Sequence, residues 1–212
     1  MRESYRRHLP HQVPAGVPIF LTWNLKGALP QHQVDRIREQ RLLLERQPPL
    51  STETPEQRRV RIGKLLFHYT DRFLDTATDG PMDLKEPAAA QIVIDALFFG
   101  AVERYDLYAF VVMGNHVHAL LTPHRELAQI TKALKGVTAN RINALHDQHG
   151  RTVWQDESYD HWARDEDESH CILEYIDNNP VKAGLCACPE QWPWSSASHR
   201  ATWFAGQPWR RP

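Results

Sequence analysis

The chain of 212 residues predicts an α+β fold, a ferredoxin-like sandwich in which an antiparallel sheet carries helices mainly on one face. Three observations lead to this prediction. Segments rich in β-branched and aromatic residues alternate with helical periodicities in the order strand, three helices, strand, strand, helix, strand, helix. Gly114-Asn115 separates two apolar segments, as in a tight hairpin. The length is also sufficient to bury one core without disulfide bonds.

The first half of the chain predicts one strand and then helices. Residues 17–25 are rich in β-branched and aromatic side chains and are predicted as the first strand. Residues 31–47 and 58–76 are predicted as helices on either side of a proline-rich loop. A third helix is predicted over residues 87–100, with Pro87 near its start, where the missing N–H is not needed.

The second half predicts a hairpin of two strands, over residues 105–113 and 117–122, and then a long helix over residues 125–147. A short extended segment at residues 153–155 and a final helix over residues 165–178 follow. The long helix has the most regular apolar spacing in the chain. The final helix is expected to end before Pro180, because the residue before a proline disfavours helical backbone.

These elements predict one catalytic domain over residues 17–188, preceded by a basic arm at 1–16 and followed by a tail at 189–212. Residues 26–84 are interpreted as a helical insertion in that domain. The sequence assigns no role to the insertion.

The composition excludes some classes of protein. The net charge of −1 gives no overall basic signal for nucleic acid, although basic residues cluster in residues 1–50. Three cysteines do not make a disulfide framework, which fits a reducing cytoplasm. No apolar segment has the length of a membrane span, and the N-terminus lacks the apolar core of a signal peptide. We therefore expect a cytoplasmic protein.

His116 and His118 lie on either side of Val117 at the start of the third predicted strand. Side chains alternate between the faces of a strand, so both imidazoles should point one way while Val117 points into the core. Two imidazoles on one face form half of a divalent metal site. The alternative is an edge strand with two solvated histidines.

Tyr175 and Asn179 are four residues apart on the final predicted helix, and thus share a face. A phenol can act as a covalent nucleophile, and an amide oxygen can be a third metal ligand. The alternative is a tyrosine packed on the core above an Asn-Asn-Pro helix end. Tyr159 is a rival nucleophile, but its neighbourhood is a loop or short strand without a helical partner four residues on.

Four segments together resemble the single-tyrosine HUH transposases, and most closely the REP-associated tyrosine transposases. They are Arg6-Arg7-His8-Leu9-Pro10-His11 with Phe20-Leu21-Thr22, residues 112–121 around the histidine pair, Val153-Trp154-Gln155 with Tyr159-Asp160-His161 and Arg164-Asp165, and Tyr175-Ile176 with residues 179–185 and Trp192-Pro193-Trp194-Ser195-Ser196. The resemblance covers about residues 85–196. Gly114 stands where proline is frequent in the family, a change that should loosen the turn but leave the histidines in place.

The resemblance implies an HUH endonuclease fold and a metal-dependent enzyme that cuts single-stranded DNA beside REP-type hairpins. Tyr175 would be the nucleophile that stays attached to the 5′ phosphate. His116, His118 and Asn179 would hold Mg or Mn. This branch of the family also implies a monomer rather than a dimer.

Contacts to DNA are less well defined by the sequence. Basic and aromatic side chains hold single strands through phosphate contacts and base stacking, and the candidates are Arg6, Arg7, Lys132, Lys135, Arg141 and Trp154. Two other functions remain open. One is a non-catalytic protein of the same lineage that binds DNA hairpins, and the other is an unrelated metal hydrolase with Glu174 or Asp177 as its base.

Overall fold

The computed structural model of the chain describes residues 16–101 and 103–200. Within this part, four strands form one antiparallel sheet in the order β2-β3-β1-β4. The strands are β1 (Ile19–Asn24), β2 (Tyr105–Val112), β3 (His116–Pro123) and β4 (Tyr159–Trp162). The predicted hairpin joins β2 to β3, and the predicted α+β antiparallel fold is confirmed.

Six α-helices accompany the sheet in the described residues: α1 (Gln31–Arg46), α2 (Pro55–Asp75), α3 (Pro87–Gly100), α4 (Leu127–Leu145), α5 (Glu166–Lys182) and α6 (Ser196–His199). None of these helices has the length and apolar character needed to cross a membrane.

The prediction that the final helix ends before Pro180 is wrong, because α5 continues through it to Lys182. Pro180 lies in the last turn, so its missing N–H removes only one hydrogen bond of the helix.

The larger core lies between one face of the sheet and the pair α3 and α4. Leu21, Leu107 and Val117 from the strands pack there with Leu97 and Ile130 from the helices. The order β1, helix, β2, β3, helix, β4 with α3 and α4 on this face gives the predicted ferredoxin-like arrangement.

A smaller apolar cluster covers the opposite face. Phe20 and Leu120 from the sheet pack there with Phe67 of α2 and Ile176 of α5. Because the central strands are apolar on both faces, both faces need a cover. In addition to α3 and α4 on the first face, α2 and α5 therefore pack on the second face, to which the histidines point.

The predicted insertion contains α1 and α2. These helices pack on each other through Leu44, Ile62 and Leu66. Lys64 of α2 forms an ion pair with Glu168 of α5. The insertion is therefore attached to the helix that carries Tyr175, as well as to the sheet.

The described part of the predicted tail follows the edge of β2. The Trp194 carbonyl accepts a hydrogen bond of 2.8 Å from the Val112 amide, and Ser195 forms a bridge with Val111. The Ser196 hydroxyl oxygen accepts a hydrogen bond of 3.0 Å from the Phe110 amide. These contacts attach the Trp-Pro-Trp-Ser-Ser segment to the edge of the sheet.

Candidate active site

His116 and His118 lie on β3 and point to the same face of the sheet. Both are fully buried, and their ring centroids are 4.7 Å apart. Val117 between them is buried in the larger core on the other face. The alternation predicted from the sequence is thus present, whereas solvated histidines are not.

Each imidazole is oriented by a hydrogen bond at its Nδ1 atom. His116 Nδ1 lies 2.7 Å from Asn115 Oδ1, and His118 Nδ1 lies 2.7 Å from Thr22 Oγ1. Asn115 is itself fixed, because its amide donates to the Leu74 carbonyl at 3.0 Å. Such partners fix the tautomer and orientation of metal-binding histidines. The Nε2 atoms are left to face a common centre.

The carboxylate of Asp71 on α2 faces both imidazoles. Its Oδ1 atom lies 3.2 Å from His118 Nε2 and 3.8 Å from His116 Nε2. Asp75, one turn further along α2, places its Oδ1 atom 3.6 Å from His116 Nε2. Asp71, His116 and His118 each offer a ligand atom, and these atoms all lie within 4.8 Å of one another.

Several buried polar atoms at this centre have no hydrogen-bond partner among the described residues: His116 Nε2, Asp71 Oδ1, Asp75 Oδ1 and Asn179 Oδ1. Buried polar atoms in folded proteins nearly always have a partner. All four atoms carry lone pairs that suit a cation. The donor set of imidazole, carboxylate and amide oxygen therefore fits a divalent metal ion.

Burial and neighbouring charges shift the pKa values of the acids and imidazoles at this centre. Burial would raise the pKa of Asp71, but His118 and His116 outweigh it and hold that pKa well below its usual range. Burial and His118 lower the pKa of His116 to about 3. Burial and the neighbouring Asp71 raise the pKa of Asp75 to about 7. The centre thus presents an ionised carboxylate and a neutral imidazole, the protonation states that metal binding needs.

The helix α5 brings Tyr175 and Asn179 to the same centre. The Tyr175 hydroxyl donates a hydrogen bond to Asp71 Oδ2, and its ring centroid lies 5.8 Å from that of His118. Asn179 is fully buried, with Nδ2 3.4 Å from His118 Nε2. Burial and Asp71 both raise the pKa of Tyr175. The two predicted residues of α5 and the histidine pair are therefore brought together.

Tyr159, the rival nucleophile, lies on β4 and is packed differently. Its ring stacks on Phe67 with centroids 4.3 Å apart and meets Phe20 edge-on. Burial raises its pKa. Within the described part of the chain, the ring contacts of Tyr159 are with these phenylalanines and not with a histidine.

The candidate DNA-binding residues are dispersed. Lys132 and Arg141 are exposed on α4, which lies across the sheet from the histidine pair. The Lys135 ammonium donates to the carbonyls of Gln155, Asp156 and Glu157.

Trp154 is buried in the core, where its indole N–H donates to Thr138, so it offers no face to a base. Arg6 and Arg7 lie outside the described residues.

Asp71 is a site residue that the sequence did not predict. It lies within residues 26–84, to which the sequence assigns no role. One signal was present in the sequence: Asp71 occupies the apolar stripe of α2, in helical spacing with the buried Phe67 and Leu74. An acidic residue in such a stripe indicates a buried partner.

Solved structures similar to this chain include two that are described as transposases. One is described as a REP-associated tyrosine transposase bound to a REP hairpin, with 16% identity, a TM-score of 0.48 and coverage of 100% of this chain and 93% of that one. The other is described as a candidate transposase of Deinococcus radiodurans R1, with 17% identity, a TM-score of 0.32 and coverage of 82% and 98%. No curated protein matches this chain.

A family model described as "Transposase IS200 like" matches residues 99–179. The match covers less than half of the chain, and Asp71 lies outside it. It contains the histidine pair on β3 and both predicted residues of α5. The resemblance to a transposase family that the motifs predicted is therefore confirmed over residues 99–179.

Proposed function

We propose that this protein is a metal-dependent transposase-type enzyme that cuts and rejoins single-stranded DNA beside REP-type hairpins, through a covalent 5′-phosphotyrosine. The observation that carries the proposal is the position of Asp71. This carboxylate accepts the hydrogen bond of the Tyr175 hydroxyl and also faces both Nε2 atoms of the histidine pair. A nucleophile and a cation site are thereby joined through one side chain.

We propose that His116, His118 and Asn179 hold Mg or Mn, and that Asp71 is a further ligand. The unpartnered lone pairs of His116, Asp71 and Asn179 support this set. When bound, a divalent ion polarises a phosphate and offsets the charge that develops on its oxygens.

Tyr175 is the proposed nucleophile. Its oxygen attacks phosphorus, a new O–P bond forms, and the bond from phosphorus to the 3′ oxygen of the departing strand breaks. The phenol proton must leave as this happens, and the Asp71 carboxylate already accepts its hydrogen bond. The departing 3′ oxygen takes up a proton from solvent water, so one proton is released at Tyr175 and one is taken up at the leaving group. Since burial and Asp71 raise the pKa of Tyr175, the phenolate is not formed in advance.

A phosphotyrosine keeps the phosphate in an ester bond, so another 3′-OH can attack it and rejoin the strand. Hydrolysis would lose that ability. This chemistry suits a transposase, and the family match over residues 99–179 supports it. We further propose that the enzyme acts as a monomer in the cytoplasm on hairpin-forming single strands.

The test is a covalent-adduct assay with a labelled single-stranded hairpin DNA and Mn, analysed on a denaturing gel. We expect a protein–DNA adduct that is lost in Tyr175→Phe and kept in Tyr159→Phe. Tyr159→Phe is the matched control, because that ring is also partly buried beside Phe67 but, among the described residues, makes no ring contact with a histidine. Free cleaved DNA without an adduct would indicate a metal hydrolase. A native complex without cleavage would indicate a hairpin-binding protein.

A further inference from the structure

A groove of about 1140 Å³ separates the insertion from the β4 side of the sheet. This volume is near the upper end of the roughly 300–1,000 Å³ typical of small-molecule sites, so the groove has room for a segment of a polymer. Helices α1 and α2 form one wall, and residues 155–160 form the other. Thr22, Phe67 and Asp71 also line it, so the groove extends to the candidate active site.

The helical wall of the groove carries four arginines: Arg38, Arg41, Arg58 and Arg59. The guanidinium of Arg58 is engaged by the backbone carbonyls of Glu45 and Gln47. The other three are more available to a ligand.

Among the residues that the structure describes, Arg38 and Arg59 form ion pairs only with exposed acids on their own helices, Asp35 at 3.3 Å and Glu56 at 2.8 Å. Within the described residues, Arg41 has neither an ion pair nor a side-chain hydrogen bond. Exposed pairs between neighbouring residues are weak, so a phosphate can displace them.

The opposite wall is rich in hydrogen-bond acceptors. Asp156, Glu157 and Asp160 line it together with Gln155 and Ser158. The Lys135 ammonium holds the backbone of this wall, with 2.8 Å to the Gln155 carbonyl and 3.1 Å to each of the next two. The Asp156 residue is exposed, so its carboxylate is presented from a fixed backbone.

We infer that this groove binds single-stranded DNA, with the phosphates toward the arginines and the base edges toward residues 155–160. A single strand has one anionic edge and one edge that carries amino donors, and the two walls match these edges. In a duplex, the pairing edges of the bases are already occupied. The inference rests on the proposed function, and it gives the insertion a role: α1 and α2 hold the strand that leads to Asp71.

The histidines do not line the groove, whereas Asp71 does. Asp71 therefore lies between the bound strand and the imidazoles. The insertion supplies both the phosphate-binding wall and the carboxylate at its inner end.

The test is the salt dependence of binding to a fluorescent, unstructured single-stranded oligonucleotide, measured by anisotropy without added metal. In Arg38→Ala/Arg41→Ala/Arg59→Ala, we expect the slope of log K against log salt to fall by about 2, at about 0.7 for each lost phosphate contact. The matched control is Arg46→Ala/Arg72→Ala/Arg125→Ala, which removes the same charge from exposed positions outside the groove. The control should keep the wild-type slope.

A second measurement tests the acceptor wall. Cytosine offers an amino donor where thymine offers a carbonyl, so oligo-dC should bind tighter than oligo-dT by about fivefold if one carboxylate contact forms. Asp156→Asn should remove most of this preference. Its exposure means that the substitution does not disturb the core.

An unchanged slope in the groove variant, or an equal loss in the control variant, would overturn the inference. An equal loss of affinity for a blunt duplex would overturn the choice of a single strand. Failure of the proposed function is seen separately. If the wild type forms no adduct but the groove variant still lowers the salt slope, the proposed chemistry is refuted and the groove inference stands. If the groove variant forms the adduct at low salt and keeps the wild-type slope, the groove inference is refuted and the proposed chemistry stands.

Discussion

Replacing Asp71 with asparagine keeps the size of the side chain but removes its charge from the candidate metal centre. Asp71 contributes one of three ligand atoms that lie within 4.8 Å of one another, and its Oδ1 has no hydrogen-bond partner in the described structure. Even partners that only orient a ligand change metal affinity about 10–100-fold. We therefore expect Asp71→Asn to weaken Mn binding by about 100-fold.

This loss converts into a measurable stability. At a Mn concentration of about 100 times the wild-type dissociation constant, binding stabilises the wild-type fold by about 2.7 kcal/mol. At the same concentration, a variant that binds 100-fold more weakly gains about 0.4 kcal/mol. For a chain of this length each kcal/mol moves the melting temperature by about 2–4 °C. The expected shifts are then about 5–11 °C for the wild type and about 1–2 °C for the variant.

The assay is thermal unfolding by circular dichroism, first with a chelator and then with Mn. Glu56→Gln is the control, because it removes one negative charge from the exposed first turn of the same helix, away from the histidine pair. The control should keep most of the Mn-induced shift. A full shift in Asp71→Asn would refute the assignment of Asp71 as a ligand. An equal loss in both variants would mean that the charge of the helix, rather than coordination, produces the effect.

Three further predictions concern stability. The pKa of Asp75 is about 7 in the folded protein against an ordinary value of 3.8, so the folded state binds the proton more tightly than the unfolded state and ionisation of Asp75 destabilises the fold. This loss of unfolding free energy is absent below about pH 4, grows as the pH rises and is complete above about pH 7, where it amounts to about 4 kcal/mol. In urea unfolding with a chelator present, Asp75→Asn should therefore be more stable than the wild type at pH 8 but not at pH 4. An equal gain in stability at both pH values would show that the ionisation of Asp75 is not the cause. Ile176→Ala should lose about 2–5 kcal/mol in the same assay, and Ile176→Val about 0.5–1.5 kcal/mol, because the side chain is fully buried beside Tyr175. A loss below 1 kcal/mol for the alanine variant would show that α5 is not anchored there. Lys64→Ala should cost less than about 1 kcal/mol, since the Lys64–Glu168 pair is partly exposed; a larger loss in urea unfolding would mean that this pair, rather than Phe67, holds α2 in place.

The parts of the site that the sequence predicted are those set by local periodicity. The strand alternation placed His116 and His118 on one face, and the helical spacing placed Tyr175 above Asn179. Asp71 could not be predicted in this way, because its contact with Tyr175 joins residues 104 positions apart. No local pattern specifies how an inserted helix packs on a sheet. Pro180 was misjudged for a related reason: its cost is small in a last turn, and burial of Asn179 and Pro180 outweighs it.

The segment along β2 has a consequence for the behaviour of the protein in concentrated solution. A strand with free N–H and C=O groups is a template on which another chain can add a strand and start aggregation. Trp194, Ser195 and Ser196 occupy these groups at the Phe110–Val112 end of β2. A protein shortened to residue 191 should therefore scatter light at concentrations at which the full chain stays clear. The Trp-Pro-Trp-Ser-Ser motif thus protects the strand that leads into the histidine hairpin from pairing with a second molecule.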